Sequence, residues 1–235
     1  MKRVSILLAA LLIAVPGLMA QTSGIPFNSN TDFSLGRGPI SFQAISYVGW
    51  GFHVPTNQMA SEQKKAVNSE LFLNIVELRV HLYEQGHITL GVDWDRDCYR
   101  LNNNYKWQPI NGNEGVTIIH RGSERVRKSN LIVNTFSFPV GFEHKFGSWL
   151  LRADAALDFN LNATTRLKIE SIEGEKIKSV VKGIPTRTLT CHFTAAVSYG
   201  GLGIYARFNP IPQFEEGIGP QYRAVTIGLV LGLGM

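Results

Sequence analysis

The run S-W-L-L-R-A-D-A-A-L-D-F-N-L-N-A at residues 148–163 constrains the fold more than any other feature of the chain. One alternate set is Trp149, Leu151, Ala153, Ala155, Leu157, Phe159 and Leu161. The other is Leu150, Arg152, Asp154, Ala156, Asp158, Asn160 and Asn162. A period of two over this length is a β-strand with one apolar and one polar face. In a soluble sandwich the charged face meets water. In a membrane barrel it points into the lumen, and the apolar face meets lipid.

Similar alternation recurs at 41–53, 70–83, 87–95, 130–143, 188–199, 202–209 and 222–233, which makes eight strand candidates with 149–162. Most reach the roughly 9–11 residues that a tilted strand needs to cross a bilayer. The connections are sorted by length. Those at 54–69, 96–129, 163–187 and 210–221 are long, whereas those at 84–87, 144–148 and 200–201 are short and carry glycine. Glycine supplies the positive φ that tight hairpins demand. Long loops on one rim and short turns on the other is the pattern of outer-membrane barrels, with the loops outside the cell. The reading is an all-β, eight-stranded antiparallel up-and-down transmembrane barrel, with a short surface helix at 58–67.

Lysine placement agrees. The ten lysines all fall in the leader, the expected loops or the turns. On the expected lipid faces, Trp50, Trp94 and Phe208 lie toward the long loops, and Trp149 and Tyr199 beside the short turns. These are the two interfacial girdles of a membrane barrel. The last strand sets Val225, Ile227, Leu229, Leu231 and Leu233 outward, and small residues such as Ala224, Thr226 and Gly228 inward. A lumen of eight strands is filled by side chains, so small groups suit it.

The chain opens with Lys2 and Arg3, an apolar run from Val4 to Val15, and small residues up to Ala20. That is the layout of a cleaved export signal. The expected organisation is therefore a signal peptide at 1–20, an N-terminal periplasmic segment at 21–40 and a barrel domain at 41–235. Without the leader the formal charge drops from +5 to +3, which points to no nucleic-acid partner. Cys98 and Cys191 stand in an oxidising compartment, either paired or as two isolated small side chains.

The strand–turn–strand F-S-F-P-V-G-F-E-H-K-F-G-S-W-L-L-R-A-D resembles the central hairpin of PorT-like outer-membrane β-barrel proteins. The last hairpin, S-Y-G-G-L-G-I-Y-A-R-F-N followed by T-I-G-L-V-L-G-L, is also similar to theirs. The resemblance covers about residues 41–235. It implies a small eight-stranded, OmpX-like barrel in a Gram-negative outer membrane. Fold does not carry function, so no secretion role follows from it.

The inward set is expected to form a lumen charge network of Glu77, Arg79, Asp93, Glu143, Arg152, Asp154, Asp158 and Arg207, joined by His81 and Asp95. Charges in a narrow lumen must pair or be hydrated. A salt-bridged plug is favoured over a narrow ion or small-solute channel. C-H-F-T at residues 191–194 resembles the His-x-Ser of lipid A deacylases, but alternation puts His192 and Thr194 in the lumen, away from that substrate. No catalytic set, metal cluster or cofactor loop is expected. Arg121, Arg125, Arg127 and Lys128 form a basic stretch of the second long loop, suited to lipopolysaccharide phosphates. The functional reading is a monomeric structural or surface-interaction barrel in contact with outer-membrane lipids, whose loops also offer a surface to a protein partner. A lipid A-modifying enzyme is the least favoured alternative.

Overall fold

The computed structural model describes residues 32–33, 40–55, 68–122, 125–170, 176–221 and 223–233. The export signal at 1–20 and the helix expected at 58–67 lie outside these residues, as does most of the segment at 21–40. Within that segment β1 (Asp32–Phe33) pairs with β2 (Ile40–Ala44). The remaining strands are β3 (Val48–Pro55), β4 (Ser69–Tyr83), β5 (Gly86–Arg100), β6 (Tyr105–Ile110), β7 (Gly115–His120), β8 (Arg125–Phe146), β9 (Trp149–Asn160), β10 (Ala163–Glu170), β11 (Lys176–Ile184), β12 (Leu189–Tyr199), β13 (Leu202–Asn209) and β14 (Ala224–Leu231).

Eight of them close a ring. β3 pairs with β4, β4 with β5, β5 with β8, β8 with β9, β9 with β12, β12 with β13 and β13 with β14. β14 then returns to β3, with Val225 opposite Val54 and Leu231 opposite Val48. Every neighbour is antiparallel, so the chain forms an all-β up-and-down barrel without an open edge in the ring. The short turns are Glu84–Gln85, Gly147–Ser148 and Gly200–Gly201; the other rim carries the long connections.

Several elements differ from the periodicity. The strand expected at 41–53 is broken at Ile45, which takes φ 54, so that β2 pairs with the lower part of β4 and β3 with its upper part. Opposite the break, β4 carries a bulge between Asn74 and Val76. A bulge adds one residue to one strand and reverses the inside–outside phase beyond it. His81, expected inside, is exposed where a second irregularity ends β4, and its Nε2 lies 3.1 Å from Ser41 Oγ. Leu233, expected outside, is buried at 1 % exposure. Gly232, at φ 92, turns the chain past the end of β14 and folds that side chain under the barrel.

The long connections are built rather than loose. β5 runs on to Arg100 and β8 begins at Arg125, so the strands stand above the rim. β6 and β7 form a hairpin between them. β10 and β11 form another, and β10 pairs with the upper half of β8. Arg125, Arg127 and Lys128 therefore lie on a strand and not in a loop. Neither cysteine is in a disulfide.

Candidate functional site

The interior of the ring is polar and fully built. An apolar cluster of Tyr47, Phe72, Leu150, Tyr205, Val230 and Leu233 packs inside the ring. Beside it β4, β8 and β9 aim Glu77, Glu143 and Arg152 at one another. Arg152 Nη1 donates to Glu77 Oε2 at 2.6 Å and to Glu143 Oε1 at 2.9 Å, and its Nε donates to Asp154 Oδ2 at 2.9 Å. Its Nη2 donates to Tyr47 Oη at 2.9 Å. Arg79 Nε donates to Glu77 Oε1 at 2.8 Å and lies 3.5 Å from Glu143 Oε2. Arginine suits this place because its five fixed donors serve several carboxylates at once. Asp93 is held separately, by Asn74 Nδ2 at 2.7 Å and Tyr47 Oη at 3.3 Å.

A second cluster lies nearer the long-loop end. Arg207 Nη1 meets Glu70 Oε1 at 2.7 Å and Asp95 Oδ1 at 2.8 Å, and its guanidinium stacks 4.5 Å from the centre of the Phe72 ring. Asp95 also accepts from Ser137. His53 bridges Thr226 Oγ1, 2.7 Å from its Nδ1, and Asp97 Oδ1, 3.0 Å from its Nε2. His53, Glu70 and Asp97 each bring one ligand-type atom within 4.8 Å of the others. Both imidazole nitrogens are already engaged with protein oxygens, so the geometry is that of a hydrogen-bonded chain rather than an open coordination site. Beside it, Asp158 holds His192 Nδ1 at 2.9 Å.

Above these clusters Tyr99, Leu101, Trp107, Leu131, Ile184 and Phe214 pack as an apolar cap drawn from the extended strands, the β6–β7 hairpin and the 210s loop. Gln213 reaches down from that loop, and its Nε2 donates to Asp97 Oδ2 at 2.6 Å. Among the described residues two luminal cavities have volumes of about 10 Å³, beside His192 and Gln213, and about 20 Å³, beside Arg152 and Leu233. Each is on the scale of one water molecule.

All eight expected network residues lie in the barrel interior, in two clusters rather than one. Glu77, Arg79, Glu143, Arg152 and Asp154 belong to the lower, Asp93 sits beside it, and Arg207 and Asp158 belong to the upper. Periodicity missed Glu70, which is 1 % exposed. Running the Glu77–Arg79 phase backwards through β4 puts it outside. The signal was present as the adjacent apolar pair Ile75–Val76, where alternation fails and the bulge lies. His53 and Asp97 were missed because one belonged to the broken strand and the other to an expected loop.

His192 and Thr194 both face the interior without facing each other. Thr194 Oγ1 accepts from Arg207 Nε at 3.2 Å, and His192 makes its bond to Asp158. Outside, Trp149 and Tyr199 meet edge to face at 5.1 Å, Trp50 meets Phe52 at 4.5 Å, and Phe208 is 40 % exposed. Trp94 stands between Leu73 and Phe136, well below the end of its lengthened strand. Arg121 N donates to Asn104 O at 2.8 Å. Arg125 and Arg127 reach Glu170 at 3.7 and 2.8 Å, whereas Lys128 is exposed beside them.

No protein-family model matches the chain, and no curated protein does. Among solved structures it is similar to Ail, the attachment invasion locus protein of Yersinia pestis. One Ail structure, in complex with the heparin analogue sucrose octasulfate, aligns at TM-score 0.34 and 10% identity over 81% of this chain and 94% of that one. A second aligns at 0.31 with the same identity and coverage. Overlaps this shallow carry no argument about function.

Proposed function

We propose that the protein is an integral outer-membrane β-barrel with a plugged lumen, whose role is structural or interactive and not enzymatic. The observation that carries this reading is the inversion of the barrel. Leu151, Leu157, Phe193, Ile204, Ile227 and Leu229 are each 47–58% exposed on the outer wall, while Glu70, Glu77, Glu143 and Arg152 are at most 4% exposed inside. In water that arrangement would expose a continuous apolar belt far beyond the few hundred Å² that a soluble surface carries. In a bilayer it is the required arrangement, because lipid meets the apolar face and the closed ring has no open sheet edge.

The plug is favoured over a conducting path by the apolar cap, by the paired interior charges and by the water-sized scale of the two luminal cavities found among the described residues. The long-loop rim, with its two hairpins, is the surface offered to partners; export through a cleaved leader and a monomeric state complete the reading. Kinship with PorT-like barrels rests on the two hairpins quoted above. A gel tests the central claim. The folded protein in detergent should migrate differently unheated and boiled, with β-rich circular dichroism. A chain that stays in solution without detergent and migrates identically in both states would return it to the soluble class.

A further inference from the structure

The outer wall above the aromatic row carries a column of cations that neither the barrel nor its plug uses. Trp94, Phe136 and Phe159 are register partners on the outside of β5, β8 and β9. The next outward position of β5 is Arg96, opposite Asn134. Two rows higher, Arg100 is opposite Asn130, which is itself opposite Arg166 of β10. One row higher still, Lys128 is opposite Lys168, and Lys168 opposite Lys178. Residues directly opposite point to the same face. None of these six cations has a carboxylate within 4 Å among the described residues, although Glu170 takes both Arg125 and Arg127 close by.

Three lysines in one rung are costly to the sheet, since like charges directly opposite repel. Edge protection explains Lys178, because β11 is an edge strand and lysine keeps edges from pairing. It does not explain Lys168, which has Lys128 of β8 on one side and Lys178 of β11 on the other. An anion on this face removes the repulsion.

Height selects the anion. Successive outward residues are about 6.7 Å apart along a strand. A strand tilt of 35–45° makes each row about 5 Å of vertical rise. Along their own strands Arg96 then lies about 5 Å and Arg100 about 15 Å above Trp94, and Lys128 about 20 Å above Phe136. The headgroup layer adds only about 5–7 Å to each side of the hydrocarbon. Phospholipid phosphates reach Arg96 and stop. The upper cations require a carrier anchored in the same leaflet whose anionic groups continue far above it. The six positions offer no aromatic platform on which nucleic-acid bases could stack.

Resting on the membrane reading above, we propose that the β5–β8–β10–β11 wall binds a phosphorylated glycolipid of the outer leaflet. Its acyl chains lie against the apolar belt, and its phosphate-bearing saccharide lies along Arg96, Arg100, Arg166, Lys168, Lys128 and Lys178.

The test refolds the protein into phosphatidylcholine vesicles doped with a core-bearing phosphorylated lipid A glycolipid or its phosphatase-treated form, with insertion checked by the gel shift. Native mass spectrometry after mild extraction should show the phosphorylated form retained at least tenfold over the treated form. Arg100→Gln/Arg166→Gln/Lys168→Gln/Lys178→Gln should abolish that preference. The single Lys168→Glu should weaken it severalfold while leaving the barrel at least as stable, because it relieves the rung. Equal retention of both glycolipids, or undiminished preference in an inserted variant, overturns the proposal. So does displacement of the glycolipid by a soluble sulphated polysaccharide or by single-stranded DNA at equal charge. Failure of the wild-type protein to insert overturns the membrane reading itself and takes this inference with it.

Discussion

Glu143 and Arg152 stand directly opposite each other across β8 and β9, and Arg152 Nη1 lies 2.9 Å from Glu143 Oε1. The same nitrogen reaches Glu77 on β4, 75 residues away in sequence. One side chain thus ties three strands of the ring across its interior. Removing it leaves Glu77, Glu143 and Asp154 short of a shared cation in a buried site. Arg152→Met should destabilise the barrel by about 3–5 kcal/mol, the usual cost of breaking a buried pair from one side. Arg152→Lys should fall between, as an ammonium cannot present the same fork. Urea unfolding in detergent micelles measures both, and an unchanged midpoint for Arg152→Met would show that the network does not hold the barrel.

The two faces of β9 separate by one residue. Leu157 is 54% exposed and Asp158 is 3% exposed with His192 Nδ1 at 2.9 Å. Leu157→Arg puts an unpaired cation into lipid and should cost about 2–4 kcal/mol near the midplane. Asp158→Asn keeps an acceptor for the imidazole and should cost about 1 kcal/mol, the worth of an ordinary hydrogen bond. Single cysteines decide the orientation directly. Those at 155, 157 and 159 should react with a lipid-phase probe and those at 154, 156 and 158 should not; the reverse pattern would place the wrong face in the membrane.

Gly228 and Gly147 are glycine for different reasons. A Cβ on Gly228 would run into the Trp50 carbonyl, the Gly51 Cα and the Tyr205 ring, because β3 and β14 approach closely where the ring shuts. Gly147 has φ 61 in the β8–β9 turn with open space around it. Gly228→Ala is an overpacking change and should cost at least ~1–3 kcal/mol. Gly147→Ala carries only the left-handed backbone penalty of about 1–2 kcal/mol. Gly147→Asn should recover part of that, while Gly228→Asn should be worse than alanine. Refolding yield and urea midpoints distinguish the two mechanisms.

Glu170, on the β10–β11 hairpin above the rim, accepts from Arg127 Nε at 2.8 Å, and that bond holds its carboxyl below the usual carboxylate range. A depressed folded-state value means that the unfolded hairpin binds more protons in the window between the two values. Stability therefore rises with pH through that window, is fully present above the ordinary glutamate value, and is lost as pH falls through the lowered one. Hydrogen exchange should show β10 amides near Glu170 loosening in acid while β9 amides stay protected. Glu170→Gln should remove the pH dependence, and 0.5 M salt should blunt it, since the pair is at the surface. Acid loosening that persists in Glu170→Gln would assign it to another group.

The period of two was enough to place Arg152, Asp154 and Asp158 on one face of β9 and Leu151 and Leu157 on the other, because successive Cβ atoms alternate whatever the strand pairs with. The sorting of loop lengths and the glycines at 147, 200 and 201 carried the antiparallel order for the same reason: turn chemistry is local. Closure of the ring was decided elsewhere. The bulge at Ile75 answers the break at Ile45 on the neighbouring strand, and only the pair of irregularities turns Glu70 inward and β3 onto β14. Which carboxylate meets which arginine depends on that register, since Glu77 and Arg152, or Glu70 and Arg207, come together only when distant strands are brought around a common axis. The rung of Lys128, Lys168 and Lys178 has the same origin. In sequence these are lysines of two separate loops; they become one row because β8 continues above the barrel and finds β10, and β10 finds β11, to pair with.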